Sequence, residues 1–144
     1  MPVLTHPQGW FTLEIPDGWA METEDSVTTL RSPMGVGMVY VSGARHSRGR
    51  QPSFGGADFL RRFLGSLGIE VEDDAIALAQ GLGCRIYSYV RDSGGTHWRY
   101  WSVTDDETAL LISYTCDTAE STRETGDVDE MVRSVRLYHS APVH

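Results

Sequence analysis

The residues able to do covalent or metal chemistry are few and scattered. Two cysteines stand at Cys84 and Cys116, and five histidines at His6, His46, His97, His139 and His144. A histidine beside a cysteine can take its proton and make it a nucleophile, and His97 with Cys116 is the pair whose placement would allow it. No third orienting group and no oxyanion donor accompanies that pair, and a free cysteine is more often a small core hydrophobe. The histidines show none of the HxH, HxxxH or HExxH spacings that put ligands on one side of a metal. A tetrahedral site needs three or four convergent ligands, so no metal is expected. The acidic groups Asp105-Asp106-Glu107 and Glu70 to Asp74 lack the spacing and the glycine of a calcium loop and read as solvated turns. "GVG" at Gly35 to Gly37 precedes a strand rather than a helix, so it is a turn and not a phosphate cradle. All twelve basic residues are arginine, which removes lysine chemistry altogether. The expectation is a protein that is not an enzyme and takes no cofactor.

Two groups of residues suit binding instead. The stretch "HWRYWSV" at residues 97–103 packs two Trp, a Tyr and an Arg into seven positions. The stretch "RHSRGRQPSFGG" at residues 45–56 is the one basic cluster, with Arg45, His46, Arg48 and Arg50. It has no periodic apolar pattern and reads as a surface loop. Such a loop can contact an acidic partner or simply keep itself solvated.

These groups must be held by something. A chain of 144 residues is one domain of ordinary size, spanning 1–144, and 40% hydrophobic residues are enough for a true core. The formal net charge of -8 repels phosphate backbones and anionic membranes, so neither nucleic acid nor membrane is an expected partner. The opening "MPVLTHPQGW" has neither a basic leader nor an apolar run, and no stretch approaches a membrane span, so the expected compartment is the cytoplasm. Two cysteines without CxxC make neither a disulfide framework nor a zinc knuckle.

Apolar alternation predicts strands over residues 10–15, over "SVTTLR" at 26–31 and over 37–42, separated by the turns Pro16-Asp17-Gly18 and Ser32-Pro33-Met34-Gly35. Phe59, Leu60, Phe63, Leu64 and Leu67 form one stripe of a helix over 57–67. Strands over 76–80, 84–92, 97–104 and 109–116 then form an antiparallel meander. A closing helix follows, starting at Asp127 as a cap with Glu130 reaching back, and burying Val128, Met131, Val132 and Val135. Runs of strands with few helices indicate α+β.

The turns fix the register. A two-residue loop at Gly94-Gly95 pairs Val90 with Arg99, Ser88 with Trp101 and Ile86 with Val103. A loop at Asp106-Glu107 pairs Trp101 with Ile112, Arg99 with Tyr114 and His97 with Cys116. One face is then mostly apolar and must be core. The other carries Arg85, Tyr87, Tyr89, Arg91, Trp98 and Tyr100, aromatic bodies with polar tips and flanking arginines. That face suits partial cover by a helix, or contact with a partner. The cysteines fall roughly 25 Å apart at ~3.3 Å per residue, too far for a disulfide, so both are expected as free thiols.

The segments "FTLEIPDGW", "LRSPMGVGMVYVS", "HWRYWSVTDDETALLISYTC" and "VDEMVRSVRL" together resemble the PsbP/Mog-like superfamily. It includes an extrinsic photosystem II protein, a Ran-binding nuclear import factor and many bacterial domains, some of them chaperones for secreted effectors. The resemblance implies an α-β-α sandwich, an antiparallel sheet of about six to seven strands flanked by helices. Its shared residues are structural, and no catalytic motif comes with them. The expected role is therefore a bacterial non-enzymatic protein-interaction, chaperone or adaptor domain. The partner would be a protein, with a second copy of the chain among the candidates. The alternative is a small-molecule binder with a cleft between the sheet and the first helix.

Overall fold

Gly94 and Gly95 take φ values of 60° and 85°, the left-handed pair that a tight two-residue hairpin requires. Around them Arg85–Ser93 and Thr96–Thr104 pair from Ser93↔Thr96 to Arg85↔Thr104, in the register read from the sequence. The computed structural model describes residues 3–33, 35–45, 57–105 and 108–138. Its elements in chain order are β1 (Val3–Thr5), β2 (Phe11–Glu14), β3 (Ala20–Glu24), β4 (Val27–Arg31), β5 (Gly37–Arg45), α1 (Asp58–Ser66), β6 (Ala77–Gln80), β7 (Arg85–Ser93), β8 (Thr96–Thr104), β9 (Thr108–Asp117), α2 (Thr125–Arg133) and β10 (Arg136–Leu137). Short 3₁₀ turns at Asp73–Ala75 and Thr118–Glu120 complete them.

Seven strands form one antiparallel sheet in the order β3-β4-β5-β9-β8-β7-β6, and β1-β2-β10 form a small second one. With α1 and α2 this is the α+β sandwich expected. β9 lies between β5 and β8, so after β5 the chain crosses to the far edge at β6 and builds back through β7 and β8 to the centre.

Three strands escape the sequence pattern. β3 has no buried residue, so no alternation marks it. It forms because Asp25 and Ser26 turn tightly, at φ of 50° and 70°, and lay it along β4. β1 and β10 are three and two residues long and exist only as partners of β2, the predicted strand at 10–15, which is withdrawn from the main sheet. The closing helix also starts earlier than the cap signal suggests. Its N-cap position is Glu124, whose side chain makes no capping bond, and Gly126 and Asp127 lie in its first turn. The 46–56 segment and the Asp106-Glu107 turn lie outside the described residues.

The two sheet faces have separate cores. On one, Leu13, Leu30, Val39, Val41, Trp101, Val103, Ile112 and Tyr114 meet Val128, Met131, Val132 and Val135 from α2 and its exit. On the other, Leu60 and Leu64 of α1 meet Ile69, Tyr87 and Tyr100. Arg99 ties α2 to the sheet, with Nη2 2.6 Å from Asp129 Oδ1 and its guanidinium 4.5 Å from the Trp101 ring centre.

Candidate functional site

The second face carries the aromatic group singled out in the sequence, and the period of two decides its layout. Tyr87 and Tyr89 of β7, and Trp98 and Tyr100 of β8, all point to one side, with Tyr89 opposite Tyr100 and Arg91 opposite Trp98. Trp98 stacks on Tyr100 at 5.8 Å with only 5° between the planes. Tyr89 stacks on Tyr100 from the neighbouring strand at 6.4 Å. Phe63 of α1 meets Tyr100 edge-on at 6.3 Å. The result is a continuous ladder, Tyr89–Tyr100–Trp98, with a helical residue seated over its middle rung.

That seat divides the face in two. Tyr87 and Tyr100 are 8% and 4% exposed, roofed by α1, and so form a core rather than a contact surface. Tyr89 and Trp98 are half-buried at the margin, and Arg91 is exposed. Burial holds the Tyr100 hydroxyl above its ordinary value of 10.0, against the opposing pull of Arg91. Arg85 faces Thr104 at the far end of the same face, where it is half-buried. Of the six residues read as a binding face, the open margin therefore brings together Tyr89, Arg91 and Trp98. Arg45 ends β5, and its companions His46, Arg48 and Arg50 lie outside the described residues.

The same face contains two hydroxyls that find no partner. Ser102 Oγ and Thr104 Oγ1 are wholly buried and make no hydrogen bond. Buried hydroxyls are nearly always satisfied, so a pair left unmet on one face asks for an explanation.

The first face holds the thiol chemistry considered above. His97 and Cys116 are opposite each other, as the register requires, and both are buried. Asp92 lies opposite His97, with Oδ1 2.9 Å from Nδ1, and orients the ring. The third group missing from the sequence reading is thus present, and the Gly94-Gly95 register already paired those two positions. Yet the thiol is not activated. Burial pushes Cys116 above its ordinary 9.0; its hydrogen bond with Tyr114 pulls it down, and the charges of Glu124, Asp117 and Asp92 push it up again. Burial likewise raises Cys84, with Asp105 adding to it. Both thiols are free. Alkylation by iodoacetamide at pH 7–8 is expected to run slower than for a small free thiol at both positions. The rate should climb with pH without levelling off below pH 9, because only the thiolate attacks. Fast labelling of Cys116 at neutral pH would restore the nucleophile.

Tyr114 and Glu124 form a pair that sequence reasoning missed. Glu124 is 2% exposed, and Tyr114 Oη donates to its Oε1 at 2.8 Å, while Oε2 has no partner. Burial first, then the bonds to Cys116 and Glu124, hold the Tyr114 hydroxyl protonated. The phenol fits because Gly37 carries no side chain, since a Cβ there would sit 2.6 Å from Tyr114 Cε1 and 2.7 Å from its Oη. No local pattern in "STRETG" marks Glu124 as buried, and only the return of the chain over β9 encloses it.

Among the described residues two open depressions are outlined. One of about 300 Å³ is lined by Glu14, Pro16, Asp17, Asp127, Glu130 and Met131. The other, of about 360 Å³, lies at the sheet end by Gly37, Thr96 and Cys116. Among the described residues no three His, Cys, Asp or Glu converge on a metal-sized space.

No family model and no curated protein matches the sequence. Solved structures do match its shape. The chain superposes on the cyanobacterial PsbP (CyanoP) of Synechocystis sp. PCC 6803 with a TM-score of 0.67 at 12% identity, covering 95% of this chain and 92% of that one. The chain has a PsbP-like fold. A second PsbP-like neighbour is LpqN of Mycobacterium tuberculosis, described as involved in cell envelope biogenesis, with a TM-score of 0.65 at 12% identity over 96% of this chain and 90% of that one. A protein of Bacteroides thetaiotaomicron VPI-5482 matches with a TM-score of 0.66 at 17% identity. The PsbP-like chain is covered to 95% there but spans only 48% of that longer protein. At these identities the likeness is one of fold. Among the described residues, no helix is long and apolar enough to cross a membrane.

Proposed function

We propose that this PsbP-like domain is a non-enzymatic interaction module, an adaptor or chaperone that grips a protein partner through the open margin of its second face. The observation that carries the reading is the aromatic ladder, whose middle rung is roofed by α1 while Tyr89 and Trp98 stay half-open beside the exposed Arg91. Rigid aromatics next to an arginine are the side chains that most often dominate a protein contact. The involvement of LpqN in cell envelope biogenesis is in keeping with such a role. We place the domain in the cytoplasm, a compartment with which two free thiols are compatible; fractionation of the native host checks the placement.

The test is partner recovery from the native host with the intact chain and with Arg91→Glu and Trp98→Ala. Arg91 is exposed, so its exchange should leave the melting temperature unchanged. Each variant is expected to weaken a genuine partner by about 30-fold or more, the equivalent of a ~2 kcal/mol contact. If both variants bind every recovered protein as the parent does, the margin is not the contact surface.

A second reading rests on Ser102 and Thr104. Their unmet hydroxyls, on the sheet face that α1 covers at Tyr87 and Tyr100, suit a small ligand with polar groups lodged between the sheet and the helix. A metabolite screen by thermal shift separates the two readings. A ligand seated there raises the melting temperature and loses that effect in Ser102→Ala, whereas Arg91→Glu leaves it intact.

A further inference from the structure

The main sheet ends in two edges of very different character. β3 is an exposed strand, "AMETE", with Glu22 and Glu24 on it and Asp25 in its turn. Laid antiparallel against its own copy about Thr23, it would set Glu22 directly opposite Glu24, and like charges facing across strands are destabilising. Such charges are the usual guard of an open edge. β6, "ALAQ", has no guard. All four residues are exposed, and none of residues 76–82 carries a charge or is proline. Leu78 and Leu82 are 56% and 49% exposed.

The direction of the free backbone groups follows from one bond. Gly81 N–H donates to Cys84 C=O at 2.9 Å, which makes that pair a hydrogen-bonded one. Bonded and non-bonded pairs alternate along an antiparallel ladder. Ala79 and Ala77, opposite Ile86 and Ser88, therefore bond inward to β7. Leu78 and Gln80 must then aim their N–H and C=O groups outward, where among the described residues no strand follows in the sheet order; β10 meets this edge only beyond β6, in the bridge of Leu82 to Arg136.

We propose that β6 is a self-pairing edge, which joins antiparallel to β6 of a second copy and continues the sheet across a two-fold axis at Ala79. Leu78 of each copy then faces Gln80 of the other, and the outward groups of both residues close about four backbone hydrogen bonds. The occupant is a second copy because the edge complements itself: unlike β3, it meets its own image without one charged pair, and the net charge of -8 carried elsewhere on each copy is screened beyond ~8 Å at physiological salt. The contact is short and lies well below a standard interface, so the dimer is weak.

Sedimentation equilibrium from ~10 μM to ~1 mM tests this. A monomer–dimer equilibrium is expected, weakened at least tenfold by Leu78→Lys. Gln80→Pro removes one outward N–H while leaving the inward bonds of β6, and should weaken it similarly. Amide exchange at Leu78 and Gln80 should slow as concentration rises, and Arg91→Glu should change nothing, which keeps this test apart from that of the aromatic margin. A chain that stays monomeric to 1 mM overturns the proposal. So does a dimer that survives both β6 variants, or one that Glu22→Lys strengthens instead.

Discussion

Truncating Leu64 to alanine is expected to lower the stability of the domain by about 2–5 kcal/mol, the range for a leucine deleted from a closed core. Leu64 is wholly buried and, with Leu60, fastens a helix of nine residues across a broad sheet. So short a helix has little stability of its own. Most of what holds α1 is the contact of its apolar stripe with Tyr87, Tyr100 and Ile69. The loss should therefore be larger than for a leucine held from several sides, and it should open the second face first. Urea unfolding gives the free energy, and tyrosine fluorescence or amide exchange over β7 and β8 reports the opening. A loss under 1 kcal/mol would mean that α1 is not a structural roof, and that Tyr87 and Tyr100 are free to serve a partner after all.

Tyr114→Phe is expected to cost about 1–3 kcal/mol, more than a lost hydroxyl in a solvated place. The change strips Glu124 Oε1 of its only donor while Oε2 already lacks one, and it leaves a carboxyl group at 2% exposure with no hydrogen bond at all. The penalty belongs to the orphaned acceptor rather than to the missing bond. Replacing Glu124 by leucine in the same chain removes that acceptor and should recover most of the loss. A double-mutant cycle by urea melts reads this directly, with a coupling of about 1 kcal/mol or more between the two positions. Strict additivity would show that Glu124 reaches water in solution and that the pair is incidental.

Pattern and propensity were strong where a local rule leaves one answer. The Gly94-Gly95 turn needs two left-handed residues and so fixed the pairing of β7 with β8, and with it the facing of Trp98 and Trp101 to opposite sides. The same pairing already placed Asp92 beside His97. Local rules failed where no side chain is asked to choose a face. β3 is exposed throughout, and β1 and β10 are too short for any period to show. The cap of α2 was misplaced for a related reason, because Asp127 satisfies a local preference while Glu124 is drawn inward by Tyr114.

By itself the sequence determined an acidic α+β domain with a meander at its centre, two unpaired cysteines and no motif for catalysis. Those are consequences of composition, turn chemistry and the two-residue period, all of which act over a few positions. Only the tertiary structure decided which aromatic residues are core and which remain open. That depends on where nine residues of helix come to rest, and hence on packing between segments about thirty residues apart. It also decided that β9 enters beside β5, which encloses Glu124 and leaves β6 as an unguarded edge. Neither property belongs to any local stretch; both arise because a sheet's neighbours are set by the whole chain.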